Sequence, residues 1–521
     1  MTAGLSTRGR RLLAAALVGG LHALALVPIA PGLAQGAPVA SAWAVLPAIL
    51  QVLAVAGLVQ VLQAVRGARE GAAAGFVFSL CWLTGCIWWL FISMHRYGGL
   101  PSWMAAGAVL ALAATLSLYL AAACGAWVRW GRGRAWGLQV AVFAAMWCLA
   151  EWARARWFTG FPWGAAGYAH VDGPLAGWAP YLGVYGMGAV AAGLAAALQV
   201  AWARGLFTRA GSPGVATALA LVIAPLLLPG SFTSPGASLS VALLQGNVPQ
   251  DEKFEEHFLY QALSWHVQAL GRAEADLVIA PETAIPLLPS QLPEGLWEAL
   301  AQRFSTGRSH ALIGMPQGDE DAGYTNSAMG LGPNLPLYRY DKHHLVPFGE
   351  FIPWGFRWFV DRMHIPLGDF NRGTLAAPSW PVLGARVAPN ICYEDLYGEE
   401  LATRFKDPAQ APTVLANLSN IGWFGETIAV GQHLQISRLR SLELQRPMLR
   451  ATNTGATVLI DHRGVVQAAL APHTQGILRA KVQGREGTTP YAWWAGRFGL
   501  WPLVLVACAV LLVSARLSRR G

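Results

Sequence analysis

Eight stretches of this chain come close to the length a helix needs to cross a bilayer core, about 20 apolar residues. They cover residues 12–32, 42–65, 72–94, 102–127, 135–153, 178–203, 213–230 and 492–514, with few ionisable residues inside them, His22 and Glu151 among these. Hydrocarbon offers no water to satisfy backbone N–H and C=O groups, so such segments are held to helices packed on one another. The pattern predicts a seven-span membrane domain at 1–237, a domain of different character at 238–490, and an eighth span with a basic tail at 491–521.

Only 12% of the residues are charged and 54% are hydrophobic, whereas about a quarter are charged in ordinary soluble domains. The basic residues that remain are placed unevenly. Arg8, Arg10 and Arg11 precede the first span, Arg66 and Arg69 follow the second, and Arg129, Arg132 and Arg134 follow the fourth. Arg204 and Arg209 follow the sixth, and Arg516, Arg519 and Arg520 the last. Basic connections mark the cytoplasmic side, so both termini are expected in the cytoplasm and the 238–490 domain outside it. The net charge of +9 is largely this orienting bias, and it does not argue for a nucleic-acid partner. Arg154 and Arg156 break the alternation; the aromatic stretch around them, "EWARARWFTGFPWGAAGYAH", reads as an interfacial belt or as a lipid-headgroup loop. The basic start followed by an apolar run also has the form of a signal peptide, but losing it would break the charge alternation.

The 238–490 segment reads as short apolar strands ending in turns, with helical stretches between them. The strands include 238–247, 275–283, 310–318, 385–395, 412–420 and 456–464, and the helices 254–274, 291–305 and 427–446. That alternation predicts a layered α/β domain. It holds no GxGxxG, P-loop or GxSxG motif, so nothing points to nucleotide binding or to a serine hydrolase, and no cofactor is expected. Of six cysteines, five sit in expected spans and Cys392 alone lies in this domain, where an internal disulfide is impossible.

Glu282, Lys342 and Cys392 each follow an apolar strand, the usual place for site residues in layered α/β folds. Separately, each has an ordinary reading: a core thiol, an acid in a helix's first turn, a solvated lysine. Together they suit covalent catalysis, since a thiolate attacks, a carboxylate takes its proton, and an ammonium steadies the resulting oxyanion. His343 and His344 are adjacent, point to opposite faces of an extended chain, and have no partner at ligand spacing, so no metal is expected.

The stretches "PET", "YDKHHLVPFGEFIP" and "NICYEDLYGE" resemble the nitrilase superfamily and its Glu-Lys-Cys triad. With "GFPWGAAGYAHVDGPLAGWAP", "LLQGNVPQDEKF" and "NLSNIGWFGETIAVGQHLQISRLRSLELQRPMLRATNTG", the resemblance narrows to that superfamily's membrane-embedded branch, the apolipoprotein N-acyltransferase family, and covers nearly the whole chain. It implies a helical membrane domain joined to an extracytoplasmic αββα sandwich in a bacterial inner membrane, working as a monomer. Cys392 would take an acyl chain from the sn-1 ester of a phospholipid, typically phosphatidylethanolamine. It would pass the chain to the α-amino group of a diacylglyceryl-cysteine at an apolipoprotein's N-terminus. Glu282 would be the base, and Lys342 with the Tyr393 N–H the oxyanion donors. Glu350, Tyr393 and Glu394 would support the triad, and Phe254, Trp354, Trp423 and His433 would contact substrate. Phe254 stands where relatives often have Trp. Segments 351–360 and 420–426 are candidate lipid-facing arms. Some relatives carry a further sugar-transferase domain, and none is expected here after the last span.

Two other readings compete. A membrane-tethered amidase would use the same triad with water as acceptor, but one span would suffice for a tether. A transporter or receptor would line a path with intramembrane charges, which are scarce in these spans.

Overall fold

The computed structural model describes residues 6–28, 42–206, 208–249, 256–355, 357 and 369–517. They fall into two compact units: one holds the segments up to Ser231 and those from Phe498 onward, the other Phe232–Arg497.

Among the described residues of the first unit, five helices are long and apolar enough to cross a membrane: Trp43–Ala64, Ala68–Ile87, Ser102–Trp130, Trp136–Thr159 and Ala176–Ala203. They coincide with five of the eight expected spans. The other three differ, each for a local reason. The first helix, Thr7–Ala25, starts among the arginines because the Ser6 side chain caps it by accepting from the Gly9 N–H. The helix Ser212–Leu227 has 16 residues, about 24 Å at the helical rise, short of a core about 30 Å thick. The last stretch is not one helix but two, Pro490–Phe498 and Trp501–Leu517, parted at Gly499, whose φ of +57° ends the first.

Arg154, in the aromatic stretch, is turned into the protein. It is buried, donates to the carbonyls of Phe161 (2.9 Å) and Trp163 (2.7 Å), and lies over the Trp82 ring. Glu151 accepts from the Ala166 N–H at 2.8 Å. The pair therefore closes the 157–166 loop onto the helix that leads into it.

Among its described residues the second unit has twelve strands: β1 Thr233–Gln245, β2 Leu277–Ile279, β3 His310–Asp319, β4 Gly323–Leu331, β5 Tyr338–Asp341, β6 Trp380–Val382, β7 Ala385–Ile391, β8 Val414–Ser419, β9 Met448–Thr452, β10 Val458–Ile460, β11 Val466–Ala469 and β12 Gly476–Gly487. They form two six-stranded sheets, ordered β12-β1-β2-β3-β4-β5 and β11-β10-β9-β8-β7-β6. Within them β1, β2 and β3 run parallel, as do β7, β8 and β9. Side chains alternate across a strand, and β1 shows the consequence. Leu239, Val241 and Leu243 join a core that also holds Ile391, Leu418 and Leu449 of the second sheet. Ala242 and Leu244 instead pack with Leu263, Leu270, Leu300 and Phe304 of helices Glu256–Arg272 and Leu296–Thr306. Helix Ile428–Leu444 covers the other side of the second sheet, reaching β9 through its buried polar side chains. The layers are α, β, β, α, as expected.

Candidate active site

The ends of the two sheets deliver the site. Glu282 follows β2 in a turn where Thr283 takes a φ of +48°. β3 presses so closely on that turn that a Cβ at Gly314 would lie 2.3 Å from the Pro281 carbonyl oxygen, so this position needs glycine. Lys342 directly follows β5, and its N–H donates to the Asn326 carbonyl of β4 at 2.8 Å.

One ammonium then meets two carboxylates. Lys342 Nζ donates to Glu350 Oε1 at 2.9 Å and to Glu282 Oε1 at 3.3 Å. Asn326 Nδ2 bridges the same two oxygens at 2.8 and 2.7 Å. The outer oxygens are taken by backbone: Asn420 N–H on Glu282 at 2.9 Å, Val346 N–H on Glu350 at 2.8 Å. Only 1% of the Lys342 surface is exposed. Burial disfavours its charge, but the carboxylates of Glu282 and Glu350 outweigh that and hold the ammonium well above its ordinary range. Lys342 is thus a fixed cation at neutral pH.

Cys392 opens a tight turn directly after β7 and adopts a φ of +55°. That left-handed region costs a non-glycine residue about 1–3 kcal/mol, so the surroundings must hold it. Glu394, two residues on, does much of this. Its Oε2 accepts from the Ile391 N–H at 2.6 Å and the Tyr340 hydroxyl at 2.8 Å. Its Oε1 accepts from the N–H groups of His343 and His344 at 2.8 and 3.1 Å, tying the cysteine turn to the lysine loop. Burial, and then the negative charge of Glu282, push the Cys392 thiol up to about 12, with Lys342 pulling the other way. The resting thiol is protonated, and to act as a nucleophile it would need a base.

The structure therefore brings together Glu282, Lys342, Glu350, Glu394 and Cys392. Tyr393 joins them: its hydroxyl donates to the Leu345 carbonyl at 2.9 Å, and Lys342 Nζ lies 5.9 Å from its ring centre. The expected substrate contacts are placed differently. Trp354 is 99% exposed and Trp423 partly exposed. His433 is fully buried and meets the Cys392 carbonyl, where a substrate contact was expected. Phe254 and much of 351–360 lie outside the described residues. Among the described residues no cluster of His, Cys, Asp or Glu is arranged to hold a metal.

Sequence reasoning missed Asn326, Asn420 and Asn417, whose Nδ2 donates to the Cys392 carbonyl at 2.8 Å. The signal was present in β4 and β8, where an asparagine stands inside otherwise buried strands. A buried amide without partners is costly, so an asparagine there implies a built network.

Two family models match the chain: the apolipoprotein N-acyltransferase N-terminal domain over residues 36–198 and carbon-nitrogen hydrolase over residues 240–491. An apolipoprotein N-acyltransferase of Verminephrobacter eiseniae is 53% identical over 90% of this chain and 92% of its own length. One from Ralstonia nicotianae is 47% identical over 97% and 93%. Among solved structures, a carbon-nitrogen hydrolase from Helicobacter pylori is 18% identical, with a TM-score of 0.33, over 51% of this chain and 94% of that one.

Proposed function

The chain belongs to the apolipoprotein N-acyltransferase family, and from that premise we propose that it moves an acyl chain from a phospholipid to an apolipoprotein through Cys392. The observation that carries this reading is the buried Glu282–Lys342–Glu350 cluster acting on a protonated, backbone-strained thiol.

Glu282 takes the thiol proton as Cys392 Sγ attacks the carbonyl carbon of the sn-1 ester of phosphatidylethanolamine. Lys342 and the Tyr393 N–H receive the oxyanion, a contribution worth about 10²–10³ in rate per donor. The carbon–oxygen bond breaks, Glu282 returns the proton to the departing alkoxide, and a lysophospholipid leaves a thioester behind. The α-amino group of the diacylglyceryl-cysteine then attacks the thioester. Glu282 takes a proton from that amine, the carbon–sulfur bond breaks, and the proton passes to the leaving thiolate. Two steps in one site replace a single direct transfer between lipids. Glu350 holds Lys342 between two carboxylates, and Glu394 holds the nucleophile's turn.

Both substrates carry acyl chains, and each CH₂ drawn into water costs about 0.8 kcal/mol. A catalyst built on apolar helices of spanning length answers that cost. The arginine bias supports an inner-membrane protein with both termini in the cytoplasm and the catalytic unit on the outer side. The exposed Trp354 and partly exposed Trp423 fit lipid contact.

The test supplies purified protein with phosphatidylethanolamine and a diacylglyceryl-cysteine peptide. One lysophospholipid per N-acylated peptide is expected. Release of free fatty acid with no acylated peptide would refute the transfer.

A further inference from the structure

The carbonyl of Cys392 is gripped from two sides. Asn417 Nδ2 donates to it at 2.8 Å, and His433 Nε2 lies 3.3 Å away. His433 Nε2 also meets Asp395 Oδ1 at 3.0 Å, while Arg450 Nη2 lies 2.9 Å from His433 Nδ1. A guanidinium only donates, so Nδ1 must accept and the ring proton must sit on Nε2, shared between the Cys392 carbonyl and Asp395. The frame behind the ring is closed as well. Asp395 Oδ2 accepts from the Ser437 hydroxyl and from Arg450 Nη1, which also bonds the Ser437 oxygen. All of these side chains are buried. Burial and the neighbouring Arg450 keep His433 below its ordinary range despite Asp395, in keeping with a neutral ring of one tautomer.

The peptide bond is planar and trans, so its C=O and N–H point in opposite directions. The carbonyl held here belongs to the same peptide unit as the Tyr393 N–H. We propose that His433, locked by Arg450 and Asp395, is a positioning residue that aims the Tyr393 N–H at the developing oxyanion by pinning the opposite end of its peptide.

This rests on the acyl-transfer reading above, and it assigns His433 to rate without substrate binding. In a strained left-handed turn the peptide can rotate to relieve itself once one of its two anchors is lost. His433→Leu is expected to lower single-turnover acylation from phosphatidylethanolamine by about 10–100-fold, part of the loss for a whole oxyanion donor. The half-saturating phospholipid concentration should stay within about twofold, since an interaction realised only in the transition state leaves ground-state binding unchanged. His433→Gln, whose amide can donate to the same carbonyl, should recover most of the rate.

Alkylation of Cys392 by iodoacetamide separates positioning from general disruption, because displacement of iodide builds no oxyanion. Alkylation in His433→Leu should match wild type while acylation falls. Parallel losses in both reactions, or a glutamine variant no better than leucine, would overturn the role of His433. Failure of the underlying reading looks different: wild-type protein would transfer acyl chains with no adduct on Cys392.

Discussion

The two sheets of the catalytic unit are backed by their helices in opposite ways. Behind β1, β2 and β3 the contact is apolar, with Ala242, Leu244, Val278 and Ile313 against Leu263, Leu270, Leu300 and Phe304. Behind the second sheet, helix Ile428–Leu444 buries His433, Ser437, Arg440 and Glu443, with Arg440 and Glu443 paired at 2.7 Å. Apolar burial is non-directional and stabilises in proportion to area. Buried ion pairs add little net stability once desolvation is counted, yet their geometry is directional. The contrast teaches where this unit requires precision. The sheet that leads into Cys392 has a polar backing that fixes angles, whereas the sheet that carries Glu282 and Lys342 is backed by area. Those two residues orient one another through Asn326 and Glu350.

Substitutions can break that comparison at several points. The largest effect belongs to Cys392→Ala, which should abolish the acyl adduct and lower transfer by more than about 10³-fold, because no alternative nucleophile completes the covalent route. Transfer assays of the variant at wild-type expression would check this. Glu282→Gln keeps shape and most hydrogen bonds but cannot take a proton. Acylation should slow by about 10²–10⁴-fold, the range of a general base, and a wild-type rate would remove the assignment. The apolar backing should behave in the other sense. Phe304→Ala should cost about 3–5 kcal/mol of stability, seen as a lowered melting temperature, while the folded fraction acylates at the normal rate. A rate loss exceeding the loss of folded protein would show that the apolar side also sets angles.

The smallest effect is a pH dependence. An ordinary thiol titrates near 9.0, while folded Cys392 holds its proton to about 12. Between those values the unfolded chain binds fewer protons than the folded one, so stability falls as pH rises across that window and is fully present below it. The melting temperature of wild type should drop more steeply than that of Cys392→Ser above pH 9. Parallel curves would mean that the thiol ionises normally in the folded state.

Much of this was legible in the sequence, for reasons that also explain what was not. Cys392, Glu282 and Lys342 stood out only together, because strand ends are the usual place for site residues in layered folds and the three residue types suit covalent catalysis. The five long helices followed from apolar length alone. The asparagines were hidden because their partners lie far along the chain: Asn326 joins residues 282 and 350, and sequence spacing does not show which strand ends converge. The helix over 427–446 was legible as a helix, but the burial of Arg440 and Glu443 against each other was not. The burial of Arg154 was hidden in the same manner, since it donates to backbone carbonyls, which no residue identity reveals. The last span was read as continuous because Gly499 interrupts a helix only through its backbone angle.

The central claim is that Cys392 carries the acyl chain. Wild-type protein incubated with phosphatidylethanolamine and no acceptor, then digested and weighed, tests it directly. The account predicts one acyl chain on the Cys392 peptide, removed by hydroxylamine and discharged by a diacylglyceryl-cysteine peptide. Steady acyl transfer with an unmodified Cys392 peptide at every time point would contradict it.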